Sequence, residues 1–176
     1  DLQQTDRIFS ILPLYVAYNF ECGFLLSLRF GMPLYLEEEM TPVRVAKLLK
    51  EQAITLFPGN PWIYASLNRI VTTLPKITTP FARFLSSGMP LPSTVADAFA
   101  KRFGVRPRSL YYTVESGSLC LEPEATSGNG VHVGLPLPSV KVRLLPDRQQ
   151  PDKNAVWIQS PAMSVQAISH LGVASQ

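Results

Sequence analysis

Short apolar runs recur along most of the chain and predict buried β-strands. Each run lacks an alternation of apolar and polar positions, which is typical of strands that are covered on both faces of a parallel sheet. Turn-forming or charged residues separate one run from the next. The predicted strands are Ile8–Leu12, Pro33–Leu36, Ile54–Phe57, Phe81–Leu85 and Ser109–Tyr112.

The segments between these runs carry the signals of helices. Phe20–Phe30 is apolar on most faces and predicts a buried helix. Thr41-Pro42 and Asn60-Pro61 each place a capping side chain before a proline at the first helical position. A further helix is predicted from an apolar face that ends at a glycine suited to a left-handed C-terminus: Val95, Phe99, Phe103 and Gly104.

This alternation predicts an α/β fold with a mostly parallel sheet flanked by helices in three layers. The pattern changes beyond Gly130, where Val140, Val142 and Leu144 alternate with polar residues. Such alternation predicts antiparallel strands with one exposed face. We therefore expect an α/β subdomain over residues 1–130 and part of an antiparallel β-rich subdomain over residues 131–176.

Composition and charge exclude several classes of function. The net charge is only +3 and the basic residues are scattered, so we expect no nucleic-acid partner. The small group around Arg106 is a solvated helix end or, as the alternative, a polyanion site. No membrane span is expected, because charged residues interrupt the apolar stretch around Phe24–Leu28. Cys22 and Cys120 lack the spacing of metal ligands or a disulfide framework, which favours the reducing cytoplasm.

Two turns follow predicted strands and carry the most informative residues. Ser87-Gly88-Met89-Pro90-Leu91 comes after one strand, and Tyr111-Tyr112-Thr113-Val114-Glu115 ends another. Together they resemble the nucleotide-contacting turns GGxPL and YGxTE of the adenylate-forming superfamily, which includes acyl-CoA synthetases, aryl-CoA ligases and adenylation domains. The resemblance covers most of the chain in order, with weaker similarities at Leu12–Asn19, Pro58–Ala65, Val133–Ser139 and Asn154–Pro161.

The resemblance implies sites for ATP or AMP and for Mg²⁺. Glu115 matches the carboxylate that meets the magnesium accompanying the phosphates, and a hard cation prefers such an oxygen ligand. Without the resemblance, Glu115 is a carboxylate held by backbone amides in a turn. Tyr112 stands where the family has glycine, and Val114 where it has threonine. The nucleotide-binding residues implied are Ser87, Gly88, Met89, Pro90, Tyr111, Tyr112, Thr113 and Val114.

The resemblance also implies a pocket for a carboxylic acid, formed by Tyr18, Gly59, Asn60 and Trp62. The aromatic members are equally consistent with plain core residues. If they line the pocket, Tyr18 and Trp62 indicate an aryl or medium-length acyl group.

The function implied is an ATP-dependent ligase that forms an acyl- or aryl-adenylate and then a thioester with CoA or an acyl-carrier protein. We expect the chain to be a middle fragment of such an enzyme, without its phosphate-binding loop and C-terminal lysine domain. No residue is assigned a catalytic role, and we expect the fragment to be inactive. The alternative is a degenerate, non-catalytic adenylation-like domain that serves in binding.

Overall fold

A computed structural model describes residues 2–39, 41–70, 82–123, 133–146 and 154–163. Seven strands of these residues form one sheet, in the order β2-β1-β3-β4-β5-β6-β7. β1 to β5 pair in parallel, and β6 and β7 join antiparallel at one edge. The strands are β1 Ile8–Ser10, β2 Leu34–Leu36, β3 Leu56–Gly59, β4 Arg83–Ser86, β5 Arg108–Thr113, β6 Gly117–Leu121 and β7 Leu135–Pro136.

Helices cover both faces of this sheet, which confirms the predicted α/β class. A continuous helical stretch follows β1 and contains a π-helical segment, Phe20–Leu25, in its middle. Three longer helices complete the set. The α-helices are α1 Ala17–Asn19, α2 Leu26–Phe30, α3 Pro42–Glu51, α4 Pro61–Asn68 and α5 Ser93–Phe103.

The predicted helix ends are mostly confirmed. The Asn60 side chain accepts a hydrogen bond of 2.9 Å from the Ile63 amide and so caps α4. Gly104 ends α5 with a φ of 83°, in the left-handed region that glycine adopts at little cost. Thr41 occupies the position before α3, but its hydroxyl makes no capping hydrogen bond. The proline that follows it remains the start signal of α3.

One predicted element needs correction. Phe20–Phe30 is not a wholly buried helix, because Leu28 is 66% exposed and Leu25 is 44% exposed. Only the side that carries Cys22 and Gly23 is buried. Because apolar residues occur on every side of this helix, the sequence alone does not show which side packs against the sheet and which is exposed to solvent.

Successive residues along the strands pack into two separate hydrophobic cores, one on each face of the sheet. Phe9, Phe57 and Phe84 pack with α3, α4 and α5 on one face. Ile8 and Leu56 point to the other face, into the cluster around the helical stretch that follows β1. Both clusters are almost free of solvent, which explains why the strand sequences show no polar alternation. The predicted three-layer arrangement is therefore confirmed, although Phe81 of the predicted fourth strand lies outside the described residues.

A second, two-stranded antiparallel sheet pairs β8, Lys141–Pro146, with β9, Asn154–Gln159. This confirms the antiparallel strands predicted beyond Gly130, while the proposed boundary between two subdomains stays a prediction. The apolar face of the pair is only partly covered: Val142 and Ile158 pack against a small core, whereas Leu144 and Val156 on the same face are 65% and 57% exposed. Among the helices of the described ranges, none has the length and apolarity needed to cross a bilayer.

Candidate functional site

A cleft of about 200 Å³ opens at the carboxyl ends of β4 and β5. In a parallel sheet, ligands bind at this edge, because the loops that follow the strands converge there. Most of the wall is apolar, and its polar groups are hydroxyls and backbone rather than charges. The lining residues are Ser86, Ser87, Gly88, Met89, Pro90, Ser109, Leu110, Tyr111, Tyr112 and Val133.

The turn after β4 forms one side of the cleft. Gly88 has a φ of 89°, and a Cβ added there would meet no atom within 4 Å. Glycine is therefore needed for its backbone conformation, while open space lies above it. Ser87 is buried, and its amide donates to the Gly59 carbonyl across 3.3 Å, which ties the turn to the end of β3.

Ser86 adds a polar atom that the sequence did not single out. Its side chain is 1% exposed, and its Oγ has no hydrogen-bond partner among the described residues. A buried hydroxyl without a partner costs about 1 to 3 kcal/mol. Ser86 belongs to the cleft lining, although its Oγ itself is closed to solvent.

Two consecutive tyrosines of β5 form the opposite side. The pairing of β5 with β6 shifts register between Tyr111 and Tyr112, and irregularities of this kind redirect side chains next to functional sites. Tyr111 is 40% exposed and lines the cleft. Tyr112 also lines the cleft, and its ring packs against the Tyr18 ring with the ring centroids 6.1 Å apart.

The turn between β5 and β6 carries the predicted metal ligand. Thr113 Oγ1 accepts a hydrogen bond of 3.2 Å from the Ser116 amide and so closes the turn on itself. Val114 is 75% exposed, and Glu115 is exposed beside it. Partial burial, together with the negative charges of Glu21 and Glu115, raises the pKa of the Tyr112 phenol. Glu115 therefore lies near Tyr112, at the rim of the cleft rather than in its wall.

Two residues that sequence reasoning missed hold this turn from outside. Glu21, in the π-helical segment, accepts a hydrogen bond of 3.3 Å from the Ser118 amide. Ser160 donates from its hydroxyl to the Ser116 carbonyl across 2.7 Å. Gly117 stands between them with a φ of 70°, and a Cβ there would lie 3.0 Å from Ala162 and 3.1 Å from the Glu21 carboxylate. No local pattern reports such contacts, because the partners are far apart in sequence.

The four residues predicted for the acid pocket do not form one wall. Tyr18 is buried beneath Tyr112, and Gly59 ends β3 against the Tyr64 ring. The Asn60 side chain serves as the cap of α4. Trp62 is 60% exposed on the same helix, and none of the four lines the cleft. Their role in binding an acid stays a prediction.

The donor set fits the nucleotide and ion that the sequence implied. Mg²⁺ is typically held by one or two carboxylates with phosphate oxygens completing its shell, so the exposed Glu115 suits it as a single protein ligand. The described residues contain no cluster of three or more His, Cys, Asp or Glu side chains that would hold an ion alone. The neutral, aromatic cleft suits a flat base rather than phosphates.

The sequence profile of the family described as AMP-binding enzyme matches residues 1–164. This chain belongs to the AMP-binding enzyme family. Among curated proteins, none matches it significantly. The match extends over all of the described residues, including both turns that form the cleft.

Several solved structures share the fold. Apo MatB from Rhodopseudomonas palustris superimposes with a TM-score of 0.78 at 19% identity, over 92% of this chain and 33% of MatB. A benzoate CoA ligase from Burkholderia xenovorans LB400 gives 0.78 at 22% identity, over 93% of this chain and 35% of the ligase. The N-terminal domain of FACL13 from Mycobacterium tuberculosis gives 0.74 at 16% identity, over 93% and 42%. The chain thus spans about a third of the length of MatB and of the benzoate CoA ligase.

Proposed function

We propose that this chain supplies the base-binding part of an ATP-dependent ligase that activates a carboxylic acid. The observation that carries the proposal is the cleft between the Gly88 turn and Tyr111, with the Glu115 turn at its rim. The adenine ring lies against Tyr111, and the backbone of Gly88 approaches its other side. Glu115 holds Mg²⁺ together with the phosphates.

The reaction proposed for the whole enzyme has two steps. A carboxylate oxygen of the acid attacks the α-phosphorus of ATP, and the bond to pyrophosphate breaks, which leaves an acyl- or aryl-adenylate. The thiol of CoA or of an acyl-carrier protein then displaces AMP and forms the thioester. Such transfers depend on positioning and on neutralising negative charge, for which Mg²⁺ supplies positive charge when bound.

The 176 residues do not complete this cycle alone in our proposal. The cleft wall carries hydroxyls, backbone and hydrocarbon, which suit a base, whereas the triphosphate needs cations that neutralise several charges. The benzoate CoA ligase is about three times as long, since the chain covers 35% of it. Residues 1–130 act as the α/β subdomain, and residues 131–176 as part of a β-rich one. We place the enzyme in the cytoplasm.

Binding of adenosine tests the proposal without requiring turnover. Base–aromatic stacking contributes about 1 to 3 kcal/mol, so Tyr111→Ala should weaken adenosine binding roughly 5- to 150-fold by titration calorimetry. Tyr15→Ala is the matched control, because Tyr15 is 89% exposed and does not line the cleft. Equal adenosine affinity in the two variants would refute the assignment of the base site.

A non-catalytic binding module is the second candidate. Two observations at the phosphate-facing turn favour it: the Thr113 hydroxyl is engaged by the Ser116 amide, and Val114 presents hydrocarbon. A module of this kind binds adenosine but gains nothing from Mg²⁺ and triphosphate. MgATP that binds more tightly than adenosine, with the difference lost in Glu115→Gln, supports the ligase; identical affinities support the module. Pyrophosphate release from a panel of acids is expected only from the longer enzyme.

A further inference from the structure

The Glu115 turn, residues 114–116 between β5 and β6, presents its carboxylate from an exposed tip. None of the ion pairs among the described residues includes Glu115. The position of this carboxylate therefore depends on the backbone of the turn and on the groups that fix that backbone. A binding group on a loop is placed accurately only when its neighbours hold the loop.

The π-helical segment after β1 makes the first contact with this turn. Glu21 accepts a hydrogen bond of 3.3 Å from the Ser118 amide, and the Sγ of the next residue, Cys22, lies 4.0 Å from the Ser118 hydroxyl. Two consecutive side chains thus reach one residue of β6, the strand that begins directly after the turn. Segments of π-helix are rare and occur frequently at functional sites.

The residues after β9 make the second contact. The Ser160 hydroxyl donates to the Ser116 carbonyl across 2.7 Å and accepts from the Ala162 amide at 3.2 Å. Gly117 lies between the two contacts, since a Cβ added there would be 3.0 Å from Ala162 and 3.1 Å from the Glu21 carboxylate. Two segments distant in sequence therefore hold the backbone at the end of the turn from both sides.

We propose that Glu21 and Ser160 are positioning residues for the metal ion: they hold the Glu115 turn so that its carboxylate stays at the rim of the cleft, where it binds Mg²⁺ with the nucleotide. This inference rests on the proposed function. Neither residue lines the cleft, so both act through Glu115 rather than by touching the nucleotide. Groups behind a metal ligand that fix its orientation typically contribute ten- to a hundredfold to metal affinity.

The role assigned to Glu21 is acceptance of a hydrogen bond, not supply of charge. Its carboxylate does act as a charge on its surroundings, because it contributes to raising the pKa of the Tyr112 phenol. Glutamine keeps an acceptor oxygen but carries no charge, whereas alanine offers neither. Glu21→Gln should therefore preserve the position of the turn, and Glu21→Ala should release it.

The Mg²⁺ gain, defined as the ratio of ATP affinity in Mg²⁺ to that in EDTA, is the quantity to measure. Titration calorimetry on the 176-residue chain gives it, and adenosine affinity is measured on the same samples to report the base site alone. Glu38→Ala is the matched control, because it removes an exposed carboxylate outside the cleft. The other variants are Glu21→Ala, Glu21→Gln, Ser160→Ala and Glu115→Gln.

We expect Glu21→Ala and Ser160→Ala each to lower the Mg²⁺ gain about tenfold while adenosine affinity is unchanged. Glu21→Gln and Glu38→Ala should keep the gain of the wild type. A full gain in both Glu21→Ala and Ser160→Ala overturns the inference, and a parallel loss of adenosine affinity overturns a role specific to the metal. A loss in Glu21→Gln as large as in Glu21→Ala overturns the hydrogen-bonding role and indicates charge instead.

Amide hydrogen exchange without nucleotide separates this inference from the proposed function. Loss of its acceptor in Glu21→Ala should speed exchange of the Ser118 amide, whereas Glu21→Gln should not. If the wild type shows no Mg²⁺ gain, the ligase assignment and the metal role both fail, although faster exchange would still show that Glu21 holds the turn. A gain that Glu115→Gln removes but both alanine variants keep rejects only the positioning role.

Discussion

Tyr64→Phe tests how the structure holds the strand ends that frame the cleft. The Tyr64 hydroxyl lies fully buried, 2.8 Å from the Leu85 carbonyl and 3.1 Å from the Phe57 carbonyl. Its single proton is donated to one of them, with the shorter contact to Leu85 favoured. The substitution keeps the ring and its packing but removes this donor, which leaves buried carbonyl groups with one partner fewer.

Loss of one partner from a buried polar group costs about 1 to 3 kcal/mol. For a chain of this size, each kcal/mol lowers Tm by roughly 2 to 4 °C. We therefore expect urea unfolding of Tyr64→Phe to give a free energy of unfolding about 1 to 3 kcal/mol below the wild type, with an unchanged m-value.

Tyr15→Phe makes the same chemical change at a side chain that is 89% exposed, so it is the matched control. Surface substitutions of this kind stay within about 0.5 kcal/mol of the wild type. If both variants lose the same free energy, or if neither loses any, the hydroxyl of Tyr64 does not hold β3 and β4 together and the reasoning fails.

Three further predictions concern pH and charge. Burial raises the pKa of Cys22 to about 12. The contribution of this thiol to the free energy of unfolding is therefore complete below the unfolded pKa and is lost as pH rises through about 9 to 12. Urea unfolding of Cys22→Ala across this range should show a shallower loss of stability than the wild type, and equal slopes would contradict the prediction. Burial opposes ionisation of Asp6, yet the Gln3 amide, the Thr55 hydroxyl and Arg83 hold its pKa below the ordinary value. The free energy of unfolding should therefore decrease as the pH is lowered below about 4. Asp6→Asn should remove part of this pH dependence, and an unchanged acid profile would contradict the prediction. Glu21→Gln removes one of the negative charges that raise the pKa of Tyr112. The absorbance titration of Tyr112, assigned by comparison with Tyr112→Phe, should therefore move to lower pH. An unchanged titration would show that Glu21 does not act on the Tyr112 phenol.

The general architecture could be predicted because the strands carry their own signal. Phe57 and Phe84 face one core while Leu56 and Leu85 face the other, so neighbouring positions at the centre of these strands are both apolar and the parallel sheet is visible from the sequence. The Asn60 cap was equally accessible, because its partner lies three residues away. The pattern of residues along a short segment thus predicts contacts between near neighbours in sequence and strands that are buried on both faces of a sheet.

The residual errors have a different origin. Leu28 is exposed because the opposite face of its helix packs on the sheet, and the sequence of a short apolar segment does not predict which face does so. The contact between Tyr18 and Tyr112, and the hydrogen bond from Ser118 to Glu21, join residues far apart in sequence. The sequence indicates that Tyr112 belongs to the motif of the cleft, but it does not indicate that the Tyr18 ring packs against Tyr112. Long-range contacts are set by the fold as a whole rather than by any motif.

The hydrogen bond from Ser160 to Ser116 has a consequence for biosynthesis. The parallel strands and the π-helical segment are complete in the nascent polypeptide well before residue 160 leaves the ribosome, and chains acquire structure from the amino terminus onward during translation. The turn that bears Glu115 is thus translated early but secured last. We expect nascent chains stalled short of this serine to expose that turn to proteases, and chains released just beyond it to resist them.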